Sequence, residues 1–317
     1  MMRGTAIAHP NIALAKYWGK MDAALNVPAV PSLSVTLAGM TTTTTVTFDA
    51  SLAQDELVLD DVVQEGRPLT RATALLNVVR AEAGFTTAAR VVSKNDFPTA
   101  SGLASSASGF AALALAAVRA ANLDWPAERV SDLARRSSAS AARSVFGGFV
   151  ELDGGEGSTG AARAIAPPGT LDLAVLVCVT NEGQKSVPST DGMTRSQASP
   201  YYEAWLREAP RNFARMKDAL TRTSFAEVGE LAEASALAMH ACAMAAGVVY
   251  VSGATLAAFE EVRAMRAAAL STYATIDAGP HLKCLVRRPE AAAAKARLLA
   301  VPGVLRVIEA FVGEGAR

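Results

Sequence analysis

The sequence predicts an α+β fold in two domains, and three observations predict it. β-Branched residues crowd the N-terminal third, in "TAIAHPNIALAKY" and "SLSVTLAGMTTTTTVTFDA", where polar and apolar positions partly alternate as they do in strands. An alanine- and leucine-rich run follows at 103–121, the composition of a helix buried on most of its surface. Beyond residue 170 helical and strand patterns alternate, and no internal repeat is evident. With 317 residues, 51% hydrophobic and 19% charged, the chain has ample apolar material for packed cores.

In order along the chain, the threonine run of "MTTTTTVTF" reads as strand rather than low complexity. A helix is expected at 71–83, ended by Gly84, before "TTAARVVSKNDF" returns to strand. After the helix at 103–121, "NLDWPAERVSDLARRSSASAARS" begins a second helix. Asp124 is its candidate cap, and Pro126 falls near the first turn, where a missing N–H is harmless. "VFGGFVEL" reads as a short strand and "DGGEGSTG" as a glycine-rich reversal. The Pro-Pro-Gly turn of "APPGTLDLAVLVCVT" introduces a strongly apolar strand and places a boundary between domains 1–170 and 171–317. The second domain offers helices near 200–220, 225–245, 254–270 and 290–299, with strands at 272–277, 282–286 and 304–311.

Charge and cysteine content exclude several classes. Lysine plus arginine equals aspartate plus glutamate at 30 each, so no global field draws in nucleic acid or an anionic membrane, and any anion site is local. Cys178, Cys242 and Cys284 are far apart and form no Cys-x-x-Cys pair, which supports neither a disulfide framework nor a zinc site. The N-terminal "MMRGTAIAHPNIALAKYWGK" lacks the apolar core of a secretory signal, so a cytoplasmic protein is expected. Two uncharged runs, 97–118 and 234–259, approach membrane-spanning length. Proline, serine and glycine interrupt the first, and His240, Gly247 and Gly253 the second.

Four clusters remain for chemistry. "FPTASGLASSASGF" places Gly102, Ser105 and Ser106 at the start of a long helix, where free N–H groups and the positive helix end favour phosphate. It lacks the Lys-Ser or Lys-Thr of a Walker A loop, and a flexible loop with capping serines remains an equal reading. "HPNIALAKYWGK" sets Lys16, Tyr17 and Lys20 just after an apolar strand, either as donors converging on one polyanion or as ordinary surface lysines. In "ARRSSASAARSVFGG", Ser138, Ser140 and Arg143 offer hydroxyls and a planar fork for a carboxylate or phosphate, while Arg135 and Arg136 read as solvated. "TIDAGPH" holds Asp277 at a strand end, a place for a carboxylate that meets a substrate proton and equally a plain turn signal. His240, inside an alanine-rich helix, reads as a packing histidine.

These clusters, extended by "SLSVTL", "STDGM" and "MHA" and running in order from residue 10 to 281, resemble the GHMP kinase superfamily and, within it, the diphosphomevalonate decarboxylase branch. A generic member of the superfamily would share only the Gly-Leu-x-Ser-Ser loop. The resemblance implies a GHMP kinase-like fold, with an N-terminal ribosomal-S5-like domain, a C-terminal ferredoxin-like α/β domain and a deep cleft between them. It implies that ATP and mevalonate 5-diphosphate yield ADP, phosphate, carbon dioxide and isopentenyl diphosphate. It further implies that Gly102, Ser105 and Ser106 hold ATP phosphates with Ser106 near Mg²⁺, that Lys185 reaches the nucleotide, and that Lys16, Tyr17 and Lys20 grip the diphosphate. Ser138 and Ser140 would bond the substrate, Arg143 orient its carboxylate, and Asp277 stand by the tertiary hydroxyl. A homodimer is common among such relatives.

Two departures bear on substrate identity. The family's Gly-Ser-Gly-Ser-Ala-Cys-Arg is here Ser137-Ser138-Ala139-Ser140-Ala141-Ala142-Arg143, and its Asp-Ala-Gly-Pro-Asn ends in His281, a titratable ring expected near Asp277. A relative acting on mevalonate or its monophosphate, or stopping after phosphorylation, is therefore the nearest alternative. Retention of Lys16, Tyr17 and Lys20 favours the diphosphate. A catalytically silent metabolite sensor is the alternative of another class, and retention of Asp277, Ser105 and Ser106 argues against it.

Overall fold

The computed structural model describes residues 2–97, 105–183 and 187–317. The first half runs β1 (Met2–Ala8), β2 (Asn11–Ala15), β3 (Lys20–Asp22), β4 (Val27–Pro28), β5 (Ser32–Ala38), β6 (Thr42–Phe48), β7 (Glu56–Leu59), β8 (Val62–Gln64), α1 (Arg67–Ala83) and β9 (Ala89–Asn95). It continues through α2 (Ser105–Ala120), α3 (Ala127–Ser137), α4 (Ala139–Ser144), β10 (Phe149–Leu152) and β11 (Ala162–Ala166). The second half holds β12 (Leu173–Val179), α5 (Ser189–Ser196), α6 (Tyr202–Thr221), α7 (Phe225–Ala245), α8 (Gly253–Ala267), β13 (Thr272–Ile276), β14 (Leu282–Arg287), α9 (Ala291–Leu299) and β15 (Arg306–Val312).

Among the described residues, one sheet of five strands is ordered β1-β6-β9-β7-β8. A second, of eight, runs β11-β10-β5-β15-β12-β14-β13, with β2 also on β5. Strand β5 joins the halves: Ser32–Val35 pair with β10, while Leu37 and Ala38 pair with Val312 and Phe311 of β15. The "SLSVTLAGMTTTTTVTF" stretch thus splits at Gly39 into strands of two different sheets, a division that local alternation does not reveal.

The threonine strand shows why alternation mattered. In β6, Thr42, Thr44, Val46 and Phe48 are buried and the residues between them are half-buried, the period of two expected of a strand with one core face. Val46 and Phe48 join the core beneath α1 and α2, each contributing about 1.5–3 kcal/mol by burial. The buried threonine hydroxyls are paired, Thr42 with Ser108 of α2 at 2.7 Å and Thr44 with Ser93 of β9 at 2.8 Å. Gly4 lets α2 lie directly on β1: a Cβ there would strike the Ala116 carbonyl oxygen and the Ala120 nitrogen. The first turn of α2 is thereby fixed at the edge of a cleft.

Two expectations change, and one helix was not expected. Asp124 does not cap α3; the capping position is Pro126, which makes no side-chain hydrogen bond, because the proline sets an extended entry two residues further on. Arg135 is not a solvated helix-end arginine. It is 5% exposed and donates to the Leu25 carbonyl and, at 2.5 Å, to Asp132. The segment "STDGMTRS", with no strong periodicity, forms the short helix α5.

Candidate active site

A cleft of about 870 Å³ lies between the two halves, walled by the turn after β2, the N-termini of α1 and α2, α4, α5 and the residues following β13. Lys16, Tyr17, Lys20, Ser105, Ser106, Ser138, Ser140, Arg143 and Asp277 all line it, so residues up to 261 positions apart converge on one space. Gly102 and Lys185 lie outside the described residues.

At the buried end Asp277, just past β13, is held from two sides. Lys16 Nζ donates to its Oδ1 at 2.5 Å and to the Ala13 carbonyl at 2.8 Å, while Lys283 Nζ from β14 stands 3.1 Å from Oδ2. Both lysines are almost wholly buried, whereas the Asp277 side chain is 27% exposed toward the cleft. Burial by itself would raise the Asp277 carboxyl; the two ammonium groups outweigh it and hold the group well below the usual carboxylate range. Burial pulls Lys16 down to about 8, against the opposing pull of Asp277 and with help from Lys283 and Arg143.

Arg143 projects from α4, 2% exposed, donating to the Ser32 hydroxyl at 2.6 Å and to Asn11 Oδ1 at 3.4 Å, with its buried Nε unpaired. Burial lowers it to about 10, so it remains a cation. Asn11 ties the same helix down from the other side, donating to the Ser140 carbonyl and to Ser144 Oγ. The hydroxyls of Ser138 and Ser140 are 3.2 Å apart. Tyr17 keeps its proton, because burial pushes the phenol above its ordinary range, and its buried hydroxyl has no partner among the described residues. Because Tyr17 lines the cleft, that hydroxyl can donate to a ligand that enters it. Ala142 packs with Val150, Leu152 and Ala162, so this departure from the family pattern is absorbed by the core rather than presented to the cleft.

At the more exposed end Lys20 donates to Asn26 Oδ1 at 2.7 Å and, at 3.4 Å, to the Thr190 hydroxyl of α5. Gly19, at φ +98°, makes the turn that places it; a Cβ there would meet the Tyr202 hydroxyl. Arg67 and Arg71, one turn apart on α1, stand beside it, Arg71 stacked 4.4 Å over Phe110 and donating to the Ser137 carbonyl. Partial burial and the charges of Arg71 and Arg67 lower Lys20. Among the described residues none of these three cations has a carboxylate within ion-pair distance.

Ser105 and Ser106 open α2, where helix-end N–H groups suit phosphate. Among the described residues no three His, Cys, Asp or Glu side chains gather as a metal cage. A donor set of hydroxyls fits Mg²⁺ arriving on nucleotide phosphates, since that ion keeps its waters and takes one or two protein oxygens. His240 is 4% exposed, its Nε2 3.3 Å from the Ile276 carbonyl, and burial lowers it to about 4, as befits a packing histidine. His281, expected near Asp277, is 1% exposed and is not among the described residues that line the cleft; its Nδ1 accepts the Thr180 N–H at 3.2 Å. Sequence reasoning missed Lys283, Arg67, Arg71 and Asn11. The i, i+4 spacing of the two arginines on a helix was the one available signal.

The chain matches the family model of the diphosphomevalonate decarboxylase-like N-terminal domain over residues 8–164 and that of the mevalonate 5-diphosphate decarboxylase C-terminal domain over 175–303. It is 34% identical over 304 residues to a diphosphomevalonate decarboxylase of Aspergillus fumigatus, covering 88% of this chain and 75% of that one. It is 36% identical over 267 residues to a phosphomevalonate decarboxylase of Haloferax volcanii, covering 84% and 82%. A solved structure of MDDEF in complex with MVAPP, AMPPCP and magnesium superposes with a TM-score of 0.92 at 39% identity, covering 100% of this chain and 98% of that one.

Proposed function

The chain belongs to the diphosphomevalonate decarboxylase family, and from that premise we propose that it converts mevalonate 5-diphosphate and ATP into isopentenyl diphosphate, ADP, phosphate and carbon dioxide, a step of the mevalonate pathway. It is an ATP-dependent decarboxylase with the two-domain α+β fold of its relatives. We divide it at residues 170 and 171, between the two matched segments.

The observation that carries the reading is the convergence on one cleft of a half-buried carboxylate, a buried arginine and a group of cations that, among the described residues, have no carboxylate partners. Lys20 and Tyr17, with Arg67 and Arg71, receive the diphosphate, while Lys16, expected beside them, is paired with Asp277 instead; Ser138 and Ser140 hydrogen-bond the substrate; Arg143 presents its fork to the substrate carboxylate. Asp277, kept anionic by Lys16 and Lys283, orients the tertiary hydroxyl and takes its proton as that oxygen receives the γ-phosphoryl group. Ser105, Ser106, Gly102 and Lys185 serve the nucleotide, with Ser106 nearest Mg²⁺. When bound, that ion supplies charge neutralisation at the phosphates. Hydroxide is a poor leaving group and phosphate a good one, so carbon–oxygen cleavage follows phosphorylation, and the electron pair of the carbon–carboxylate bond becomes the new double bond. Fixing the substrate at both ends supplies orientation and electrostatic stabilisation.

The discriminating experiment follows ADP and carbon dioxide separately with mevalonate, its 5-phosphate and its 5-diphosphate. Both products from the diphosphate alone support the reading. Preference for the monophosphate, as the name of the Haloferax relative suggests for that protein, would replace the substrate, and ADP without carbon dioxide would make the protein a kinase. The reading includes a cytoplasmic homodimer, in keeping with three free, buried cysteines, and sedimentation tests the dimer. Among the described residues no helix is long and apolar enough to cross a membrane.

A further inference from the structure

Lys283 occupies a place where a lysine is costly. On β14, an interior strand flanked by β12 and β13, it lies opposite Val177 of β12 and Thr275 of β13, and its neighbour two residues on along the same face, Leu285, is in the main apolar core. It is 1% exposed. Among the described residues its ammonium is paired with Asp277 Oδ2 alone, at 3.1 Å. A buried charge with one counter-charge and unspent donors contributes little to net stability compared with an apolar residue of the same size. The geometry gives it another task.

We propose that Lys283 is a positioning residue for the reaction, holding Oδ2 of Asp277 from β14 so that the carboxylate gripped at Oδ1 by Lys16 keeps one orientation and its negative charge. The inference rests on the role assigned to Asp277 above. The charged or titratable groups facing that carboxylate are Lys16 after β2, Lys283 on β14, Arg143 on α4 and His240 on α7. Lys283 acts on both partners of the central pair: its charge lowers Asp277 and also lowers Lys16. Without it, Asp277 can rotate about its side-chain bonds, and the Lys16 ammonium loses a repelling neighbour and holds its proton to higher pH.

The test compares Lys283→Met, Lys283→Gln and Lys283→Arg with the wild type in the carbon dioxide assay across pH. Wild-type carbon dioxide release checks the underlying function independently of the variants. In Lys283→Met and Lys283→Gln, kcat is expected to fall by about 10- to 100-fold, with KM for the substrate held within about threefold. Burial lowers Lys16 to about 8, so an alkaline limb of the kcat profile set by its deprotonation is expected to move to higher pH in both. Lys283→Arg, which keeps the charge, retains the wild-type limb. A kcat loss with an unmoved limb in the neutral variants would mark a merely structural residue and overturn the proposal, as would unchanged kcat in either neutral variant that folds. If the Met variant fails to fold, the Gln variant carries the test; failure of both to fold would show a structural role and equally overturn it.

Discussion

At the buried end of the cleft, Lys16, Asp277 and Lys283 compensate one another within about 3 Å; at the exposed end, Lys20, Arg67 and Arg71 crowd together with no carboxylate among the described residues to relieve them. The first arrangement is complete before a ligand arrives. Its charges are desolvated, paired and fixed by β13, β14 and the turn after β2, so it is built to orient a reacting group. The second stores like-charge repulsion that a polyanion removes on binding, so it is built for affinity. Arg143 stands between them, buried like the first group yet, among the described residues, hydrogen-bonded to the neutral Ser32 and Asn11.

This contrast predicts different kinetic signatures. Asp277→Ala strikes the compensated end hardest: kcat is expected to fall by about 10³-fold or more, while calorimetric ATP affinity stays near the wild-type value. Activity retained in that variant would remove the contrast at its root. Arg143→Lys keeps the charge and loses the fork, so kcat/KM should drop by about 100-fold; near-normal kinetics would detach Arg143 from the substrate carboxylate. Arg71→Gln belongs to the uncompensated end and should raise KM for the diphosphate by about tenfold with kcat nearly unchanged. Added salt should weaken substrate binding to the wild type more than to this variant. A kcat effect as large as its KM effect would show that the two ends are not separable. The smallest effect is expected from Asp124→Ala, outside the cleft and not a cap, which should change the urea unfolding free energy by less than about 0.5 kcal/mol.

Much of this was legible in the chain itself. The threonine strand, the helix ended by Gly84 at φ +74° and the helix at Phe225–Ala245 follow from local periodicity and end signals, which depend on neighbours a few residues away. The resemblance to the decarboxylase family also brought forward the residues that line the cleft, because short motifs hold the chemical groups together. Where local signals were weak they failed: Asp124 was displaced as a cap by a proline, and the short α5 had no periodicity to show.

What the sequence alone determined is therefore the types of most long elements, the family and part of the set of polar groups that line the cleft. Tertiary structure alone decided how those groups are paired. In "HLKCLV" an alternating strand would place the lysine in water; it is the packing of α7 over this side of the sheet that turns the face inward, and the fold brings Lys283 to Asp277. The same holds for Lys16, whose partner lies 261 residues away, and for Arg135, which local pattern puts in solvent and packing buries. Periodicity records which face of an element is apolar, but a buried charge is set by the one counter-charge that the folded chain delivers to it, and that distance exists only in three dimensions.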